Sequence, residues 1–305
     1  MPSGVDADRS LDELALLWAA RRSGVLDALL SSAGTPKAVA DEADVTERAA
    51  AETVAVLSTL GFVERVGDAY EPTNRALGFL AKRDVHSIGR LPHLLDRLDR
   101  YAALPETMVT GEAPAASGDA LRNRLGAAAA TPESTVRATV TAAVRAAPDA
   151  ECVLCVHGAP GTHAVDFAAR GHEVTLQDDP DAVAAVADRL AHRDGVSVTE
   201  TPLAGLDGAA DLVFGVEAGT RAADLGGTVA DATGAAGPDG TVAFVEPLRE
   251  RSADAAGVTA RRLAAGTGRV REASAFEAAF VDAGLSGVTV AAIPGTERFA
   301  VVGHR

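Results

Sequence analysis

Gly158, Ala159, Pro160 and Gly161 form a small-residue turn behind the apolar run Cys152–His157, and Asp178 lies 20 residues beyond Gly158. Those residue types at that spacing could hold a nucleoside. A turn of small residues lets backbone approach a ligand closely, and the unpaired N–H groups that open a following helix favour its anionic parts. The first acid after the next strand is placed to accept hydrogen bonds from ribose hydroxyls. Bringing these groups together takes a βαβ unit. The sequence predicts a strand over Cys152–His157, the turn Gly158–Gly161, a helix over Thr162–Arg170 and a second strand over Glu173–Gln177 that ends on Asp178.

Other chemistries fit the same residues less well. A phosphate-cradling loop needs Gly-Lys-Ser/Thr, and Gly161-Thr162-His163 has no lysine. A dinucleotide fingerprint needs Gly-x-Gly-x-x-Gly, which His157–Ala164 does not supply. Cys152 and Cys155, the only cysteines, have the spacing of a redox or metal pair. Three residues apart on a strand they point to opposite faces, so they read as two small buried side chains, and no metal is expected.

The chain has 305 residues, enough for two domains, with 47% hydrophobic content and only 4% aromatic residues. It carries 43 acids against 28 bases, a formal charge of −15, and its only lysines are Lys37 and Lys82. An acidic, lysine-poor surface stays hydrated in concentrated salt, which suggests a halophilic setting. It also repels nucleic-acid backbones and anionic lipids. No apolar run reaches the length of a membrane span, and the acidic start MPSGVDADRS has no signal-peptide pattern. A cytoplasmic protein with no membrane partner is expected.

Residues 11–104 read as helical with one small hairpin. Leu11, Leu14, Leu17 and Trp18, then Val25, Leu26, Leu29 and Leu30, recur at helical spacing. Thr35-Pro36 opens a helix, Glu47–Leu60 follows, and Phe62–Val66 and Ala69–Pro72 flank a Gly67-Asp68 turn. Together these make a winged-helix unit. DNA binding needs positive charge on the second helix and wing. That helix opens with Arg48 against Glu47 and Glu52, so nucleic acid is not the expected partner. A dimerisation platform accounts better for the apolar helix at 11–30, whose stripe needs a partner. Residues 105–135, rich in Pro, Gly, Ala and Ser, read as a connector with a short helix inside it.

Beyond the βαβ unit the alternation continues. Asp181–Ala191 reads as a helix, Val196–Glu200 and Asp211–Val216 as strands, and Thr220–Ala236 as a helix with glycine interruptions. Thr241–Glu246 is a strand, Ser274–Ala283 a helix, and Val288–Ile293 and Arg298–Val302 are strands. Such alternation implies a mainly parallel sheet covered on both faces, with its ligand over the strand ends at the switch point.

In this order the chain resembles the class I S-adenosylmethionine-dependent methyltransferases, and among them the small-molecule O-methyltransferases with an N-terminal winged-helix dimerisation domain. The resemblance covers nearly all of the chain. It rests on Leu60–Glu64 with the wing, Thr110-Gly111-Glu112, the βαβ unit with Asp178-Asp179-Pro180, Gly237–Gly240 leading to Val245-Glu246-Pro247, and Ala283-Gly284-Leu285. It implies a homodimer with a winged-helix dimerisation domain over 1–104, the connector 105–135, and a Rossmann-like domain over 136–305. That domain would hold a mainly parallel seven-stranded sheet whose last strand runs antiparallel. It further implies S-adenosyl-L-methionine as cofactor, a small-molecule methyl acceptor, and methyl transfer, expected at oxygen. By position, His157, Gly158, Ala159 and Gly161 would pass under the methionine part of the cofactor with N–H groups near its carboxylate. Asp178, with Asp179 beside it, would hold the ribose; Pro202 and Leu203 would flank the adenine, and Val216–Ala218 would line the methyl-transfer pocket.

The departures bear on mechanism. Cys155 stands where the family has an acid, His157 and Ala159 where it has glycines, and Pro202 where it has a second acid. The family's catalytic histidine is missing, with Glu217–Thr220 in its place. A hydroxyl acceptor benefits from a base within reach. Glu217 is the first candidate and His163 the second, while Glu246 reads as a capping or turn residue. The alternative function is a catalytically inactive methyltransferase-like protein that binds a ligand or regulates.

Overall fold

The computed structural model describes residues 10–31, 34–74, 76, 85–208 and 210–305. Its contacts divide the chain into two units, 1–99 with 122–130, and 100–121 with 131–305.

In the first unit, α1 (Leu11–Arg22), α2 (Val25–Ser31), α3 (Pro36–Ala43) and α4 (Glu47–Thr59) precede an antiparallel pair, β1 (Val63–Val66) and β2 (Ala69–Pro72). Side-chain oxygens of Ser10, Thr35 and Thr46 accept the backbone N–H groups of Glu13, Ala38 and Ala49, and so fix where α1, α3 and α4 begin. Two helices and a β-wing result. α5 (Val85–Ile88), α6 (Leu91–Ala102), α7 (Leu104–Thr110) and α8 (Ala120–Ala129) follow. The segment expected to be a connector thus holds two helices, and α8 returns to the first unit.

Leu17, Leu26, Leu29, Val39, Val54, Leu57, Phe62 and Leu95 fill one core. Arg21 pairs with Asp96 at 2.8 Å and Asp99 at 2.6 Å, and Asn123 reaches Asp96 at 2.8 Å, which ties α1, α6 and α8 together. The single helix expected over 11–30 is two helices broken at Gly24, where φ is +80°. Of its apolar stripe, Leu17, Val25, Leu26 and Leu29 are buried in this core, Leu14, Trp18 and Leu30 pack against it half-buried, and Leu11 stays exposed. The exposed start of α4 presents Glu47, Arg48 and Glu52.

In the second unit α9 (Glu133–Ala146) leads into β3 (Cys152–Val156), α10 (Thr162–Ala169), β4 (Glu173–Gln177), α11 (Pro180–Leu190) and β5 (Val196–Thr199). Then come β6 (Ala210–Val216), α12 (Ala218–Arg221), α13 (Leu225–Ala235), β7 (Ala236–Glu246), α14 (Ala255–Ala264), α15 (Ala273–Asp282), β8 (Ser286–Ala292) and β9 (Phe299–His304). The sheet order is β5-β4-β3-β6-β7-β9-β8, parallel except that β9 runs antiparallel to both neighbours. This is the mainly parallel seven-stranded Rossmann-like sheet expected, with the antiparallel strand last. Leu154, Val213, Phe244, Phe276 and Phe280 pack the face under α13 and α15. On the other side Phe167 meets Phe214 edge-on at 5.1 Å.

Two local expectations are corrected. The helix expected over Thr220–Ala236 is α12 and α13, separated at 222–224. Cys155 is buried, its thiol pushed up to about 12 by that burial, but Cys152 is exposed. It opens the strand at the sheet rim, where its N–H is held by Asp211 Oδ2 at 2.8 Å.

Gly268 matters most among the glycines. Its φ is +70°, and a Cβ there would press on the carbonyl oxygens of Thr220 and Arg221, which are backbone and cannot turn aside. The left-handed strain and the clash together predict that Gly268→Ala lowers unfolding free energy by about 3 kcal/mol, read by denaturant titration. A loss below about 1 kcal/mol would show that the segment is free to move. Among the described residues no helix is long and apolar enough to cross a membrane.

Candidate functional site

The chain leaves β3 for β4 and β5 on one side, then returns to β6 on the other, so the switch point lies between the ends of β3 and β6. His157 follows β3 directly and Glu217 follows β6 directly. Both sit at positive φ, +49° and +54°, where non-glycine residues are uncommon.

The turn after β3 is bound to β4. Gly158 N–H donates to the Gln177 carbonyl at 3.1 Å and His157 N–H to Gln177 Oε1 at 3.5 Å. Ala159 N–H donates to Asp178 Oδ2 at 3.0 Å, and Gly161 N–H to the Gly158 carbonyl at 2.8 Å. These are the N–H groups expected to face a ligand carboxylate, and they are taken up internally. Pro160 has none to offer. The open donors lie one step later, at Thr162, His163 and Ala164, the first turn of α10. Packing accounts for both glycines. A Cβ on Gly158 would lie 3.0 Å from Cys155 Cβ and Leu176 Cγ, and one on Gly161 2.9 Å from Leu190 Cδ2.

Asp178 is 2% exposed. Besides Ala159, the N–H of Asp179 donates to its Oδ1 at 2.9 Å, and His157 Nδ1 stands 3.7 Å from the same oxygen. Burial pushes the carboxyl up, but the His157 imidazole and the two N–H donors outweigh it and hold Asp178 below its ordinary value. Asp178 is therefore an anion with spare acceptor capacity, covered by a half-exposed imidazole. His157, Asp178 and Asp179 bring ligand atoms within 4.8 Å of one another. Asp179 itself is exposed before α11.

Pro202 begins a short 3-10 turn beyond β5, Leu203–Gly205, and is exposed. Leu203 packs on the core beneath α13 instead of standing clear at the strand end. Val216 is half-buried at the end of β6, beside the switch point.

Neither candidate base is free. His163 lies against the Phe214 ring at 5.5 Å, and burial pushes it down to about 4. Glu217 Oε1 accepts from the Arg298 guanidinium at 3.0 Å, and Arg298 also grips Asp254 at 2.9 and 3.0 Å. Burial raises the Glu217 carboxyl, but Arg221, Arg298, Arg261 and Arg262 overcome this and hold it below its ordinary value. Sequence reasoning missed these arginines, because they come from three separate segments.

Glu246 is the capping residue expected, and it caps from another strand. Fully buried at the end of β7, it accepts the N–H groups of Gly219 at 2.7 Å and Thr220 at 3.0 Å, the start of α12. The guanidinium of buried Arg271 donates to the carbonyls of Gly219 and of Ala222, the latter at 2.9 Å, and so closes the other end of the same turn. Burial, aided by the charge of Glu217, pushes Glu246 up to about 7 from 4.5. A group whose pKa rises on folding stabilises most below its unfolded value and loses that contribution as pH climbs through the folded one. Stability relative to Glu246→Gln is therefore expected to fall by about 3 kcal/mol between pH 5 and pH 8. Denaturant unfolding of both proteins across that range checks this, and parallel profiles would contradict it.

Neither a protein-family model nor a curated protein matches the sequence. Solved structures do match in fold. An O-methyltransferase family protein from Burkholderia thailandensis has a TM-score of 0.64 at 20% identity, covering 96% of this chain and 94% of that one. Human N-acetylserotonin methyltransferase, in complex with S-adenosylmethionine, gives 0.64 at 16% identity and covers 99% of both. A mitomycin 7-O-methyltransferase gives 0.69 at 18% identity, covering 96% and 94%. The chain has the fold of these O-methyltransferases along nearly its whole length.

Proposed function

We propose that the protein is an S-adenosylmethionine-dependent methyltransferase acting on an oxygen of a small organic acceptor. The observation that carries this reading is Asp178. A buried, ionised carboxylate ends the second strand of the βαβ unit beside the switch point, on a fold shared with O-methyltransferases. Its two oxygens accept one N–H each, leaving two lone-pair positions for a pair of ribose hydroxyls. The residues fit the cofactor once the His157 imidazole turns away, and no hydrogen bond within normal length holds that ring to Asp178.

Asp178 would hold the ribose, with Asp179 at the rim of the same site. His157, Gly158, Ala159 and Gly161 would support it through the shape of the turn, and the first N–H groups of α10 would take the place of the turn's own as anion donors. Pro202 and Leu203 border the adenine side, and Val216 the acceptor side. S-adenosylmethionine, when bound, supplies an electrophilic methyl group; the chain orients the acceptor oxygen toward it and keeps water out.

We assign the winged-helix unit, 1–104, to homodimerisation, with 105–135 joining it to the catalytic part, 136–305. Exposed Leu11 at the start of α1 and Val66 at the end of β1 offer apolar surface of that unit to a second copy. Light scattering should report twice the chain mass of 30.9 kDa. Two free cysteines with no disulfide accord with a cytoplasmic protein.

His157→Gly tests the fit. Glycine takes φ +49° without strain and uncovers Asp178, so S-adenosylhomocysteine should bind about fivefold more tightly by calorimetry. Weaker binding would mean that the imidazole itself contacts the ligand. The function is tested by supplying methyl-labelled S-adenosylmethionine with a panel of small oxygen acceptors. Label should pass to an acceptor with the natural chain and not with Asp178→Ala; no transfer to any acceptor, with no cofactor bound, would refute the reading.

A further inference from the structure

We infer that the methyl acceptor is a small carboxylic acid, bound as its anion between Arg221 and Arg262 at the end of β6 and methylated on a carboxylate oxygen to give a methyl ester. This rests on the methyltransferase reading above and extends it to the second substrate.

The first support is an island of positive charge in a strongly acidic protein. Arg221, Arg261, Arg262 and Arg298 surround Glu217, against a whole-chain charge of −15. Glu217 and Asp254 are acids that oppose them at close range. Arg298 spends its guanidinium on both of those acids, and Arg261 stands 3.9 Å from Asp254. Among the described residues, no ion pair within 4 Å and no side-chain hydrogen bond engages the guanidinium of Arg221 or of Arg262; Glu217 acts on both from farther away. Arg262 Nε is buried with no hydrogen-bond partner, a costly state for a charged donor. Burial disfavours its charge; Glu217 offsets part of this, but Arg221, Arg261 and Arg100 add to it, so an anion arriving there would relieve the excess of positive charge. Half-buried forks of this kind suit a planar carboxylate, which they can hold by two parallel hydrogen bonds.

Position is the second support. Glu217 follows β6, and Arg298 immediately precedes β9, whose Phe299 is opposite Glu246 at the end of β7. The cluster therefore lies on the same rim of the sheet as Asp178, on the opposite side of the switch point. A nucleoside held at β4 and an acid held at β6 would approach each other across the crevice.

The third support is the want of a base. A phenol, with a pKa near 10, would need a proton acceptor far stronger than Glu217, which is neutralised by Arg298, or His163, which is stacked on Phe214. A carboxylate arrives already ionised. A lone pair of its oxygen forms the new O–CH3 bond while the S–CH3 bond breaks and the sulfur keeps that electron pair. Anion and sulfonium become neutral ester and neutral thioether, and no proton moves.

The experiment uses the full chain and benzoate as probe, with benzamide as its uncharged match, at constant ionic strength. Calorimetry in the presence of S-adenosylhomocysteine should show saturable benzoate binding and none of benzamide. Arg221→Met/Arg262→Met should weaken benzoate about tenfold or more, and Arg262→Lys should weaken it less. Label transferred from methyl-labelled S-adenosylmethionine should be released as volatile methanol by mild alkali, as esters are and ethers are not. Equal binding by the double variant, no benzoate binding at millimolar concentration, or an alkali-stable product overturns the inference. S-adenosylhomocysteine binding is measured alone in every variant: its retention in the double variant shows that the fold is intact. Its absence from the natural chain defeats the methyltransferase reading, while the benzoate titration, repeated without it, still decides the anion site.

Discussion

Asp178→Ala is expected to weaken S-adenosylhomocysteine binding about a hundredfold, since two hydroxyls would lose a charged acceptor worth roughly 1.5 kcal/mol or more to each. The same change strips the acceptor from the N–H groups of Ala159 and Asp179. The turn after β3 should therefore loosen, with hydrogen exchange at Ala159 rising well above that at Gly158, whose N–H is held by the Gln177 carbonyl. Asp178→Asn keeps one oxygen acceptor and should fall between. If both variants bind as the natural chain does, the ribose is held elsewhere and the βαβ reading of the site fails.

Arg271→Ala is expected to cost about 3 kcal/mol of stability or more. Arg271 is 4% exposed, and its guanidinium satisfies the carbonyls that end the 219–223 turn. The charge of buried Glu246 favours that of Arg271. Without it the Glu246 carboxylate is harder to ionise, so the loss should be larger at pH 8 than at pH 5. Chemical unfolding at both pH values gives the answer. Equal losses would mean that Arg271 acts only through its hydrogen bonds. Because this turn carries Arg221 and follows Glu217, the variant should also blunt any response to small carboxylic acids.

The fold was legible where chemistry repeats locally. Apolar runs such as DLVFGV and TVAFVE made buried strands, and threonine caps with proline behind them marked helix starts. Asp178 could be found because it follows a strand at a fixed distance from a turn. Its partners could not, because the turn after β3 folds its donors onto Asp178 and Gln177, and nothing in HGAPG says whether its N–H groups face outward or inward. The arginine cluster was invisible for a different reason: residues 221, 261–262 and 298 have no sequence spacing in common and meet only because β9 runs antiparallel into the sheet. Glu217 looked like a free base from its place after β6, and only the position of Arg298 shows it committed. The break between α12 and α13 was likewise set by long-range contacts, since Arg271 takes the carbonyls of Gly219 and Ala222 that a continuous helix would have used.

On this reading a sulfonium nucleoside settles over the ends of β3, β4 and β6 with its ribose on Asp178. Calorimetric titration of the natural chain with S-adenosylhomocysteine in concentrated salt tests it most directly. Saturable binding of one ligand per chain is expected, with a Kd on the order of micromolar, and it should be lost in Asp178→Ala. No heat of binding up to millimolar ligand, from protein shown to be folded, would contradict it.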